Sequence, residues 1–228
     1  MDLTNFDTLF EKQTKVKQHF LMPEHPYRLL MIGPSGCGKS NLLLNMLTKY
    51  LYYDRIYIIC KDAEEDKYQF LIEFFKELEK EKGYQMLYMS TTLNDLPDPD
   101  SFDKSEVNLI IFDDMVVERD QKVIEDLFIR GRKRNASLIY LSQSYFDIPK
   151  TIRLNCNYVI LFNLGNKREL TELHKVYATR IDKDEFMKLY REATNTPYSF
   201  LMIDNKTQHL CQSFRKGFDG FYCPSQKK

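Results

Sequence analysis

Eight consecutive residues constrain this chain more than any other feature: Gly33-Pro34-Ser35-Gly36-Cys37-Gly38-Lys39-Ser40, a full GxxxxGK[ST] pattern. It follows a short apolar run at 27–32. It leads into 41–50, where Leu42, Leu43, Met46, Leu47 and Tyr50 recur at helical spacing. A strand, a glycine-rich turn and a helix in that order make a cradle for phosphate groups. Glycines let backbone N–H groups curl around phosphate oxygens without Cβ clashes. The following helix adds the positive end of its dipole. The pattern assigns Gly33 through Ser40 to nucleotide binding, Lys39 to the β- and γ-phosphates and the Ser40 hydroxyl to Mg²⁺. Cys37 reads as a small filler inside the loop. The alternative is a redox-sensitive thiol, because a helix N-terminus lowers a thiol pKa.

The rest of the chain alternates. Strand-like runs occupy 27–32, 55–60, 85–89, 107–112, 137–141, 158–162 and 197–203. Helical spacing marks 41–50, 66–82, 119–134, 167–177 and 182–191, and one helical turn begins near Pro149. Pro97, Pro99 and several Asp make 93–104 a surface loop. Strands that are apolar on both faces and separated by helices predict an α/β fold: a mainly parallel sheet covered on both sides. We divide the chain into a polar N-terminal arm expected to be helical (1–26), a core (27–204) and a C-terminal tail without a clear period (205–228).

Composition narrows the function. Lys+Arg and Asp+Glu each number 33, so the net charge is zero and any nucleic-acid contact must be local. No apolar run reaches the ~18 residues of a membrane span. Residues 1–25 lack the apolar core of a secretory signal. Five Cys without a CxxC pair read as reduced thiols of an intracellular protein that is not secreted. His209, Cys211 and Cys223 do not have the spacing of a metal site.

Three further segments carry chemistry. The run 107–112 ends in Asp113 and Asp114, an apolar strand that delivers two carboxylates. Asp113 is expected in the Mg²⁺ shell. Asp114 is expected to orient or deprotonate the attacking water, with a turn or cap residue as the plain alternative. Gln143 follows the run 137–141 and is the expected γ-phosphate sensor; a satisfied loop amide is the plain alternative. Arg130-Gly131-Arg132-Lys133-Arg134 ends a helical stretch, where cations complement the helix dipole. One of its arginines would also serve as a finger toward the nucleotide of a neighbouring subunit.

Taken in order, these segments make the chain resemble the FtsK–HerA superfamily of DNA-pumping ATPases. More narrowly, it resembles the genome-packaging ATPases of double-jelly-roll DNA viruses, including poxvirus-type, virophage and Polinton/Maverick ATPases. The likeness is sharpest over 128–162, where Ile148, Pro149, Ile152, Arg153 and Asn155 match an "IP..IR.N" pattern. It covers about 27–204. The resemblance implies a P-loop NTPase of the additional-strand, catalytic-Glu (RecA/FtsK-like) class, with the sensor strand between the P-loop strand and the strand bearing Asp113. It implies Mg²⁺-ATP hydrolysis coupled to translocation of double-stranded DNA, a homo-oligomeric ring (commonly a hexamer) and a viral capsid or portal vertex as partner. It places such a protein in the host cytoplasm or nucleus, or with the virion. It puts the finger at Arg132, with Arg130 as the alternative. Asp114 departs from the Glu common in the superfamily.

Three rivals remain. Asn166-Lys167-Arg168-Glu169 imitates a guanine-specificity motif, but Glu stands where Asp is needed, so it reads as a helix start with solvated charges. A small nucleotide kinase suits the length, yet no Arg-dense lid follows. A non-motor nucleotide switch would not need Lys39, Ser40, Asp113 and Asp114 all intact.

Overall fold

The computed structural model describes residues 19–115 and 121–224. The apolar runs of the sequence become strands of one nine-stranded sheet in the order β3-β2-β4-β5-β1-β6-β7-β8-β9. These are β1 (Arg28–Ile32), β2 (Arg55–Cys60), β3 (Leu87–Ser90), β4 (Asn108–Asp113), β5 (Ala136–Ser142), β6 (Tyr158–Leu161), β7 (Leu201–Asp204), β8 (Phe214–Lys216) and β9 (Gly220–Tyr222). From β3 across to β6 every pairing is parallel. From β6 to β9 every pairing is antiparallel. β5, the strand that ends just before Gln143, lies between β1 and β4, as the resemblance implied.

Side chains along each central strand alternate between two cores, as a period of two requires. Leu30, Ile32, Phe112, Leu138 and Tyr140 pack beneath helices Lys122–Arg130, Lys167–Tyr177 and Lys183–Ala193. Leu29, Met31, Ile111, Ile139 and Leu141 pack beneath helices Lys39–Asn45 and Asp66–Lys82. Burial on both faces explains why these strands read as continuous apolar runs.

The limits read for β2 and for helices Asp66–Lys82 and Lys167–Tyr177 coincide with the observed ones. Elsewhere the structure departs. Helix Lys39–Asn45 loosens into a π turn at Met46–Tyr50, with Leu51 N–H reaching the Met46 carbonyl at 2.9 Å. The 119–134 helix is seen from Lys122 and tightens at Gly131–Arg134 into a 3₁₀ turn. The strand read at 197–203 covers only Leu201–Asp204, because 196–199 is a tight turn. Of the arm, 1–18 lie outside the described residues, and 19–26 form turns rather than a helix.

The segment 205–228 is where the sequence told least. It contributes β8 and β9 to the sheet, so the boundary placed at 204 falls inside one continuous sheet. These strands are three residues each, too short to show a period. Their hairpin folds Cys223 back onto the helical turn Leu210–Ser213, where it is disulfide-bonded to Cys211. The reading of five reduced thiols is corrected accordingly; Cys37, Cys60 and Cys156 are free. Among the described residues no helix is long and apolar enough to cross a membrane.

Candidate functional site

Parallel pairing brings the C-terminal ends of β1, β4, β5 and β2 to one sheet edge. The register is tight: Ile32 sits opposite Ser142, Asp113 opposite Leu141 and Cys60 opposite Asp113. Each chain therefore leaves its strand beside the next. Gly33 N–H donates to the Ser142 carbonyl at 3.2 Å, and Asp114 N–H to the Leu141 carbonyl at 3.1 Å.

Two glycines of the loop are required by geometry. A Cβ on Gly33 would meet Cys37 Sγ at 2.6 Å and Phe162 Cβ at 2.7 Å. Gly38 has φ 109°, which side chains rarely adopt, while its carbonyl accepts the Leu42 N–H at 2.8 Å to start the helix. Lys39 curls back over the loop. Its side chain is buried, and Nζ donates to the carbonyls of Gly33 (2.5 Å) and Pro34 (3.1 Å). Ser35 is exposed at the tip, and Ser40 is half-buried one residue beyond Lys39. Burial lifts the Cys37 thiol above its ordinary pKa, outweighing Lys39 and the backbone N–H groups. The filler reading fits; an activated thiol does not.

Asp113 ends β4 as a largely buried carboxylate. Burial raises its pKa, and the Tyr68 hydroxyl and Lys39 charge work in the opposite direction. Tyr68, from helix Asp66–Lys82, donates its hydroxyl to Asp113 Oδ2. Asp114, in a left-handed conformation (φ 55°) that Asp tolerates, turns its carboxylate outward. Its Oδ2 accepts from Lys61 Nζ at 2.9 Å and from Gln143 Nε2 at 3.0 Å. The expected water-activating carboxylate and the expected sensor amide are thus in direct contact.

Tyr68 and Lys61 were not singled out in the sequence. Tyr68 had a signal: it lies three and seven residues before the inward Leu71 and Phe75, so its polar tip belongs to the buried face. Lys61 had none, because its place beside Asp114 depends on β2 pairing with β4.

Beyond Gln143, the chain is pinned by Glu169. Glu169 is buried and accepts from the Ser144 hydroxyl and from Tyr145 N–H. The reading of 166–169 as a helix start holds, with Asn166 Oδ1 capping Arg168 N–H at 2.9 Å, but Glu169 is not solvated. Tyr145 packs in the core with the Arg153 guanidinium 4.5 Å over its ring.

Arg130 and Arg132 are not brought to this edge. Both precede β5, whereas Gln143 follows it. Seven strand residues at ~3.3 Å each separate them by roughly 20 Å. Arg132 is exposed and lies near enough to Arg28, at the start of β1, to lower its pKa after burial does. Arg130 pairs with Asp126 and reaches Asp100 at 3.8 Å. His209 stands at the N-terminal flank of the turn Leu210–Ser213 without a side-chain hydrogen bond to it, and no cluster of three or more His, Cys, Asp or Glu able to hold a metal occurs among the described residues.

The donors at the P-loop edge nevertheless suit one hard cation. Mg²⁺ takes oxygen ligands and commonly uses one carboxylate, one hydroxyl and the phosphates of the nucleotide itself. Ser40 and Asp113 are an oxygen-only pair, and a carboxylate destabilised by burial gains most from a cation.

A family model described as "Poxvirus A32 protein" matches residues 13–215. Uncharacterized protein 075L of Invertebrate iridescent virus 6 is 26% identical over an alignment of 198 positions that covers 79% of this chain and 71% of that protein. The fold is similar to the DNA-packaging ATPase B204 of Sulfolobus Turreted Icosahedral Virus, at 18% identity and TM-score 0.54, covering 80% of this chain and 94% of that one. It is likewise similar to the genome packaging NTPase B204 of Sulfolobus turreted icosahedral virus 2 in complex with ATP-gammaS, at 15% identity and TM-score 0.54, covering 82% and 96%.

Proposed function

The chain belongs to the poxvirus A32 protein family, and from that premise we propose that it is a Mg²⁺-ATP-hydrolysing motor that moves double-stranded DNA into a viral capsid. The observation that carries this is the single edge at which the P-loop, Asp113 and the contact between Asp114 and Gln143 converge. The fold it shares with genome-packaging NTPases supports the same reading.

In this reading, the backbone of Gly33–Ser40 wraps the phosphates and Lys39 Nζ exchanges its carbonyl partners for phosphate oxygens. Ser40 and Asp113 would hold Mg²⁺, which would supply positive charge to offset that of the phosphates. Gln143 positions a water beside Asp114. The water oxygen bonds to the γ-phosphorus as the bond to the ADP oxygen breaks, and the water proton passes to the Asp114 carboxylate. Lys61 and Gln143 fix that carboxylate from two sides, which suits a residue one methylene shorter than Glu. Arg132, with Arg130 as the alternative, completes the site of the next subunit in a ring such as a hexamer.

Tyr68 orients Asp113 rather than touching substrate. Tyr68→Phe is expected to raise the Mg²⁺ concentration for half-maximal turnover about ten-fold, as loss of a partner behind a metal ligand commonly does. Metal-free ATP binding should barely change. An unchanged Mg²⁺ requirement would remove Tyr68 from the site.

The motor reading is tested by ATP turnover with and without long double-stranded DNA across a salt series, with particle mass measured in the same buffers. Turnover should rise with DNA, in a ring-sized species, and the stimulation should fall steeply as salt releases the phosphate contacts. Turnover indifferent to DNA in a monomer would overturn the motor. Consumption of a nucleoside monophosphate would favour the kinase instead.

A further inference from the structure

One aromatic side chain beside the P-loop is held where the backbone resists it. Residues Thr196-Pro197-Tyr198-Ser199 form a tight turn closed by Ser199 N–H to the Thr196 carbonyl at 3.2 Å. The Ser199 hydroxyl reinforces it, donating to the Thr196 carbonyl (2.6 Å) and accepting from Thr196 N–H (3.2 Å). Proline in the second position is ordinary for such a turn. The third position, with φ 64°, is where glycine or asparagine is expected, and it holds Tyr198. A bulky residue there is a true outlier, and such strain concentrates at ligand sites. Core packing does not repay it, because Tyr198 is 67% exposed. Its ring instead lies against Gly38: a Cβ on that glycine would come within 2.9 Å of Tyr198 Cδ1.

The sheet order says which end of a nucleotide meets this ring. Asp113, Asp114 and Gln143 all lie on the β4/β5 side of β1, so that side receives the γ-phosphate. A phosphate chain running back along the loop from there would deliver the nucleoside on the β6/β7 side. Tyr198 immediately precedes β7. Phe146, the exposed ring of the loop after β5, is on the wrong side and sits beneath the Arg168 guanidinium.

We propose that Tyr198 is the stacking platform for the base of the bound nucleotide. The proposal rests on the nucleotide-binding reading of the P-loop and extends it to the nucleoside end. Any base offers a π-face, so such a platform binds nucleobases as a class and discriminates little among them.

The test is equilibrium binding of ATP and of inorganic tripolyphosphate, each with Mg²⁺, to the full chain and to Tyr198→Gly and Tyr198→Phe. Glycine suits φ 64°, so Tyr198→Gly should melt no lower than the parent, and a loss of binding will not reflect unfolding. Tyr198→Gly should bind ATP about ten-fold more weakly, with tripolyphosphate binding unchanged, and Tyr198→Phe should bind ATP as the parent does. Unchanged ATP affinity in Tyr198→Gly, with both ligands bound, would overturn the platform and leave the P-loop reading standing. Equal losses for both ligands would also overturn it, making Tyr198 a shaper of the loop. A parent chain that binds neither ligand would overturn both readings.

Discussion

Arg132→Ala is expected to leave ATP binding intact and to lower turnover about 10³-fold, the scale on which an arginine finger acts. The expectation comes from placement. β5 stands between Arg132 and Gln143, separating them by roughly 20 Å. An arginine side chain cannot cover that distance, so its own nucleotide is out of reach. A neighbouring subunit's nucleotide is the remaining target. Arg132 is the position that the resemblance to packaging ATPases gives to the finger, with Arg130 as the alternative. The decisive experiment mixes two inactive chains, one carrying Arg132→Ala and the other Asp114→Asn. In a mixed ring, some interfaces join an intact Asp114 site to an intact Arg132, so part of the turnover should return. No recovery at any mixing ratio, with mixed particles verified by mass, would count against the ring.

The placement of that arginine also marks what the sequence could and could not reveal. The P-loop was legible because each of its residues answers a local demand: Gly33 has no room for a Cβ, and Gly38 needs a positive φ. The strand ending in Asp113 was legible because burial on both faces leaves an unbroken apolar run. Contacts between strands were not legible from spacing. Lys61 meets Asp114 because β2 pairs with β4, and Gln143 meets it because β5 lies on the other side of β4. That order came from the resemblance for β5 and had no local signature for β2. The tail was missed for a different reason. Strands of three residues carry too few side chains to display a period, and it took an antiparallel edge on β6 to give β7, β8 and β9 their partners. Tyr198 was read as part of a strand, since Tyr favours strands, and nothing in its neighbours except Pro197 announced a turn.

Lys39→Ala is expected to lower turnover about 10³-fold and, unlike the arginine change, to weaken ATP binding as well. In the fold, the Lys39 ammonium is buried and held by two loop carbonyls and by its attraction to Asp113. Its removal has two consequences that reinforce each other. The phosphates lose a preorganised charge carried on a buried side chain, where such a charge is worth more than in bulk water. Asp113 also loses a neighbour that was lowering its pKa, so its carboxyl moves further up and its ionised form becomes less available to a cation. Lys39→Arg should not rescue, because a planar guanidinium cannot replace a compact ammonium inside the loop. Thermal unfolding separates binding from chemistry. ATP at a hundred times its dissociation constant should stabilise the parent by about 2.7 kcal/mol, and Arg132→Ala should respond in the same way. Lys39→Ala should show little response at the same ATP concentration. If Lys39→Ala kept both the shift and the turnover, the loop would not be where ATP is bound and cleaved.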